Sequence, residues 1–139
     1  MRPQVISQLV KTGKWSDEQA RLGERAGWRC EYCDRDMLGD IFNYKLWQRD
    51  HIIPKCTGGG EDFDNLAVSC RNCNWDFKRD WDPRTAIDPS SIPGRDDLIR
   101  AARAYITGKR EGAEEELRLM RRIIGCNVPS DQPLQGQPA

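Results

Sequence analysis

Two Cys-x-x-Cys pairs, Cys30 with Cys33 and Cys70 with Cys73, stand 36 residues apart in this chain. Zinc takes four soft ligands in a tetrahedron, and each pair delivers two of them from one tight turn. Such a clip makes a single unit of whatever lies between the pairs. The interval is longer than in a minimal zinc ribbon and has room for a strand, a glycine loop and a second strand. The chain needs a staple of this kind, because only 37% of its 139 residues are apolar and 32% are charged, which leaves a small core. A structural zinc contributes on the order of 10 kcal/mol to folding in small peptides, enough to offset a thin core. The rival reading, four unrelated buried thiols, leaves the matched spacing unexplained. Cys56 and Cys126 have no such partners and read as free thiols, Cys126 as an exposed and reactive one.

The first ten residues hold no continuous apolar run of signal-peptide length and are soon followed by Lys11 and Lys14, unlike a signal peptide. No apolar run is long enough to span a bilayer. The expected location is cytoplasmic, without membrane association, and there paired cysteines bind metal more readily than they form disulfides.

Local signals predict the elements. Ser16 with Gln19 three residues on reads as a capping box, opening a helix that runs to about Ala26 and stops at Gly27. Residues 44–53 are rich in β-formers and read as a strand closed by Pro54. Gly58-Gly59-Gly60 opens a loop carrying Glu61, Asp62 and Asp64, which read as solvated acids. Residues 66–69 read as a second strand, and residues 71–80 as a helix that Pro83 limits. Two amphipathic helices are expected after the Pro-rich stretch, one marked by Leu98, Ala102, Tyr105 and Ile106, the other by Leu117, Met120, Ile123 and Ile124. Residues 108–112 would be the break between them. No internal repeat and no coiled-coil heptads stand out.

Between the cysteine pairs lies the chain's one histidine, in Asp50-His51-Ile52-Ile53-Pro54. Taken with Cys-Glu-Tyr-Cys, the glycine loop, Asn65-Leu66 and Cys70-Arg71-Asn72-Cys73-Asn74, this resembles the zinc-bound HNH endonucleases, whose catalytic unit is a ββα-metal motif. The similarity covers residues 27–82, and the combination is specific where no single piece is. The resemblance implies that Asp50 and Asn74 hold one catalytic divalent ion, magnesium or manganese, that His51 is the general base, and that Asn65 orients it. In one respect the chain departs from the pattern. Family members often carry a lysine three residues after the Asn that follows the second cysteine pair; here Phe77 fills that slot and Lys78 comes one later.

The chemistry needs these residue types. Phosphodiester hydrolysis requires an activated water, a stabilised pentavalent transition state and a neutralised leaving oxygen. A hard divalent cation on oxygen ligands serves the last two, and two protein ligands leave room for phosphate and water. An imidazole titrates close to neutral pH and suits proton abstraction, worth about 10²–10⁴-fold. Adjacent strand residues point to opposite faces, so Asp50 and His51 share a site only if the strand ends there, which Pro54 favours. Asn74 and Lys78 are four apart, on one face of a helix, which would bring Lys78 near the phosphate.

The expected fold is α+β, a small zinc-stabilised ββα-metal (HNH) nuclease domain with flanking helices. Its parts would be an N-terminal helical segment over 1–26, the nuclease core with its four-cysteine zinc site over 27–82, a Pro-rich linker over 83–94, a helical hairpin over 95–125 and a disordered tail over 126–139. The resemblance implies metal-dependent hydrolysis of DNA that leaves 5′-phosphate and 3′-hydroxyl ends, with RNA a lesser option. The rivals are a non-catalytic zinc module that binds nucleic acid or protein, and a nuclease subunit active only with a partner protein. Net charge is zero and the pI about 6.6, mildly against nucleic-acid binding, but residues 100–122 carry seven Lys/Arg against four Glu. Those basic residues read either as phosphate contacts or, preferably, as wet faces of the hairpin. Of the five tryptophans most read as core, with Trp75 or Trp81 the candidates for contact with bases.

Overall fold

The computed structural model describes residues 1–125; the expectations for Cys126 and for a disordered tail over 126–139 lie outside the described residues. The backbone divides into two compact units, Met1–Thr107 and Gly108–Ala139. In the first, helices α1 (Pro3–Lys11), α2 (Asp17–Ala26) and α3 (Ile41–Lys45) precede a two-stranded antiparallel sheet of β1 (Trp47–His51) and β2 (Leu66–Cys70). A π-helix, Asn72–Lys78, follows, and then α4 (Arg95–Ile124), whose first half lies in this unit. This is a small mixed helix-and-sheet fold built on a ββα core with a four-cysteine cluster. Among the described residues no helix is long and apolar enough to cross a membrane.

Where the local code is strong, the elements follow it. Ser16 accepts from the Gln19 amide at 3.1 Å while the Gln19 side chain accepts from the Ser16 amide at 3.0 Å, and Gly27 ends α2 at φ 62°. The strand expected over 44–53 is shorter than the β-propensity suggests. Asp40 caps α3 by accepting from the Asn43 amide at 2.7 Å, which draws Tyr44 and Lys45 into a helical turn and leaves the strand to begin at Trp47.

All five residues of β2 are buried, with Leu66, Ala67 and Val68 at the centre of the core beside Leu22, Met37 and Ile52. The first cysteine knuckle is hydrogen-bonded to this strand: Glu31 donates its amide to the Val68 carbonyl at 2.9 Å, and the Val68 amide donates to Glu31 Oε2 at 2.8 Å. Residues 83–94 are no linker between units. Pro83 is buried in a 3-10 turn, and the segment lies within the first unit. It delivers α4 to the core, where Leu98, Ala102 and Ile106 are buried. Arg95 pairs with Glu31 at 2.7 Å and Arg103, its side chain 38% exposed, pairs closely with Asp34, so both arginines engage the knuckle.

The helical hairpin expected over 95–125 is one continuous helix, α4. Gly108 and Gly112 both keep helical backbone. Each costs about 1 kcal/mol relative to Ala, too little to break a helix flanked by Lys, Arg, Glu, Ala and Leu.

Arg2 ties the chain start to α2, reaching Glu24 through Nε at 2.9 Å and Nη2 at 2.8 Å, while Trp28 Nε1 donates to the same carboxylate at 3.0 Å. Arg2 first, then Trp28, hold the Glu24 carboxyl down from its ordinary 4.5 to about 2. A depressed carboxyl stabilises the fold at pH above its unfolded value and loses that contribution as pH falls toward the folded one. Glu24→Gln is therefore expected to flatten the loss of thermal stability between pH 4.5 and 2, measured as Tm against pH for both proteins. Parallel slopes would contradict this role.

Candidate active site

The four sulfurs of Cys30, Cys33, Cys70 and Cys73 lie within 4.8 Å of one another, and Cys33 Sγ is 3.8 Å from Cys70 Sγ. Four thiolates at about 2.3 Å from a central zinc would stand roughly 3.8 Å apart along each tetrahedral edge, so the cluster has the size of a zinc site. Its electrostatics agree. Hydrogen bonding, from Cys30 first, pulls Cys33 and Cys70 below the ordinary thiol value, Cys70 to about 6. Cys30 and Cys73 are pushed up, Cys30 first by Cys33 and Cys73 first by Cys30. Sulfurs this close cannot all ionise unless a cation neutralises them.

β1 ends at His51, and Asp50, His51 and Asn74 line one cleft of about 530 Å³. The strand ends here, and both neighbours line the same cavity. Asp50 is buried, with its Oδ2 accepting from the Tyr32 hydroxyl at 2.5 Å and facing Lys78 Nζ at 3.0 Å. Burial pushes the Asp50 carboxyl up, while Lys78 and Tyr32 push it back. Tyr32 belongs to the first cysteine knuckle, and burial first, then Asp50, raises its phenol, which keeps it a neutral donor. One side chain thus couples the sulfur cluster to the cleft. Asn74 donates Nδ2 to Gln48 Oε1 at 2.9 Å, which fixes the orientation of its amide.

Two expected roles are corrected. Lys78 does not reach out to a phosphate: it is buried, paired with Asp50, and donates to the His51 carbonyl at 3.0 Å. The reason lies in its helix. π-winding makes i→i+5 bonds and takes up about one extra residue per turn, so the lysine displaced by one position comes round to the sheet. Arg79 then ends the helix at φ 49°.

Asn65 is not placed to orient the imidazole. Its Oδ1 accepts from the Ile53 amide at 2.9 Å, and its Nδ2 donates to the carbonyls of Ile53 at 3.1 Å and Gly60 at 2.9 Å. It clamps the main chain after His51 against the glycine loop. That loop passes so close that a Cβ on Gly59 would stand 1.7 Å from the Ile53 carbonyl oxygen, so only glycine fits there.

The imidazole's neighbour is Glu61, whose place in the glycine loop predicts only a solvated acid. Its Oε2 lies 3.1 Å from His51 Nε2 and 3.7 Å from an Arg49 nitrogen, while Oε1 pairs closely with Lys55. The approach to Nε2 is electrostatic and not aligned as a hydrogen bond, and Nε2 is enclosed with no other partner. Lys55 first, then His51, hold the Glu61 carboxyl down at about 2. No spacing rule links residues ten apart across a glycine loop, so nothing in the sequence flagged this pair. Trp75 is exposed on the cleft wall with the Arg79 guanidinium 6.0 Å from its ring centre, whereas Trp81 is stacked on Tyr105 at 4.1 Å. Trp28 and Trp47 pack edge-on against Trp15 at 5.2 and 5.5 Å.

Residues 30–76, about a third of the chain, match the family model of the HNH endonucleases. This segment is similar to the HNH domain of those enzymes. It begins at the first cysteine of the cluster and ends two residues past Asn74, and so contains the sheet, both cysteine pairs and the cleft residues Asp50, His51 and Asn74. No curated protein and no solved structure matches the chain. An HNH domain points to nuclease activity and a nucleic-acid substrate.

Proposed function

We propose that this protein is a DNA endonuclease that hydrolyses phosphodiester bonds, with His51 as general base and one magnesium or manganese ion held by Asp50 and Asn74. The observation that carries the reading is the meeting of these three side chains in one cleft, clipped in place by the sulfur cluster. A zinc module that only binds would need the cysteines and would leave this constellation idle.

Glu61 takes the orienting role expected of Asn65. A carboxylate beside Nε2 favours the tautomer protonated there, which leaves the Nδ1 lone pair for water. His51 accepts the water proton as the oxygen attacks phosphorus, the bond to the 3′ oxygen breaks, that oxygen takes a proton from solvent water, and 5′-phosphate and 3′-hydroxyl ends result. The divalent ion would supply charge neutralisation at the phosphate and the leaving oxygen. Asp50 Oδ1 and the Asn74 carbonyl are the hard oxygens available to it. Lys78 already balances part of the Asp50 charge, so the ion is expected to bind weakly until a phosphate completes its shell. Arg49 and Lys55, paired with Glu61 in the free protein, are cations that an incoming phosphate would compete for. Arg79, on the same cleft, is a third.

Plasmid cleavage by the purified protein in magnesium or manganese, with and without chelator, tests this reading. Metal-dependent nicking or cutting is expected, and inertness toward DNA in both metals would refute it, with RNA cleavage pointing to the other nucleic acid. Glu61→Ala is expected to slow cleavage by about 10–100-fold with zinc content unchanged, the size of effect seen when a group that orients a catalytic histidine is lost. An unaltered rate would remove Glu61 from the mechanism.

A further inference from the structure

α4 carries an apolar stripe that outlasts its core. In the first unit Leu98, Ala102 and Ile106 are buried on one side of the helix. The same helical spacing continues through Ala113, Leu117, Met120 and Ile124, yet every residue from 111 to 124 is exposed, with Leu117 at 47%, Met120 at 40% and Ile124 at 72%. Helical segments of this length are marginal in water without a packed face, and apolar side chains at steps of four, three and four form a seam suited to another helix.

We propose that this face is covered by the same face of a second copy of the chain, packed antiparallel. The charges select both the occupant and its direction. Residues 111–116 hold four glutamates, Glu111, Glu114, Glu115 and Glu116, whereas 118–122 hold three arginines, Arg118, Arg121 and Arg122. Antiparallel pairing lays the acidic half of each helix on the basic half of the other. Parallel pairing would lay acid on acid. A two-fold axis between residues 118 and 119 sets Leu117 of one copy against Met120 of the other, and Ala113 against Ile124, so that small meets large at the outer layers. Glu114 and Arg121 flank this seam and meet twice, once on each side of the axis. A face that is its own electrostatic and steric complement describes a homodimer better than an unrelated partner. The seam is only 12 residues long, which implies a reversible dimer.

Sedimentation equilibrium of the full-length protein over a concentration series tests the proposal independently of any nuclease assay. A monomer–dimer equilibrium is expected below about 0.5 mM. Leu117→Glu with Met120→Glu should abolish it without lowering the melting temperature of the HNH domain, since both positions are exposed. Glu114→Arg should weaken association by about tenfold, through two like-charge contacts per dimer, and Glu114→Arg with Arg121→Glu should restore it. A monomer at every concentration would overturn the proposal and leave the face to a different protein. Association indifferent to the charge change, or not restored by the double change, would overturn the antiparallel pairing.

Discussion

Cys70→Ser is expected to abolish cooperative unfolding altogether. Zinc content should fall to background, and the near-ultraviolet signal of the Trp15 cluster should be lost at room temperature. The magnitude follows from two numbers. A structural zinc is worth on the order of 10 kcal/mol, and a domain of this size has only about 5–15 kcal/mol of stability in total. Here the clip cannot be replaced by packing. Cys70 ends the one fully buried strand, and its sulfur faces Cys33 on a knuckle that is hydrogen-bonded to Val68 of the same strand. Without it, the knuckle and the strand end are free to separate, and Tyr32 goes with them. A strong chelator should have the same effect on the unaltered protein. Cys56→Ser is the control, because Cys56 is exposed and outside the cluster. A native-like melt retained by Cys70→Ser would contradict the clip.

His51→Ala is expected to lower plasmid cleavage by about 10²–10⁴-fold, the range for losing a positioned general base. Zinc content and melting temperature should stay close to those of the unaltered protein. His51 ends β1 and, though its side chain is 18% exposed, is not part of the apolar core cluster, so its removal is expected to leave the fold intact. This separates it from Asp50, whose removal would leave Lys78 buried without its counter-ion and the Tyr32 hydroxyl without its acceptor. Initial rates in magnesium and in manganese, at matched zinc occupancy, give the comparison. Equal rates for the two proteins would eliminate His51 as the base.

Several expectations failed in one way. Asn65, Lys78 and Glu61 were each assigned by position along the chain, and each is used according to what lies across from it. Asn65 was expected on the imidazole and spends its amide on main chain. Lys78 was expected at the phosphate and is drawn inward by one turn of π-winding. Glu61 was set aside as solvated and stands beside His51. The break at residues 108–112 was inferred from two glycines whose cost the flanking helix formers absorb. In the same way, the strand expected to begin at residue 44 loses its first residues to a cap at Asp40, four places before it.

What the chain's order of residues determined unaided were features set by neighbours within a few positions or by ligand number. The cap at Ser16, the stop at Gly27, the two cysteine pairs and the presence of two strands between them are of this kind, since a turn or a tetrahedron demands particular residues at particular spacings. Tertiary structure alone decided which side chains meet around Asp50 and His51. Tyr32 finds Asp50 18 residues away, Lys78 reaches it across the sheet, and Glu61 approaches His51 around a glycine loop. Such meetings depend on the direction in which each element leaves the core, and a linear pattern does not carry that direction.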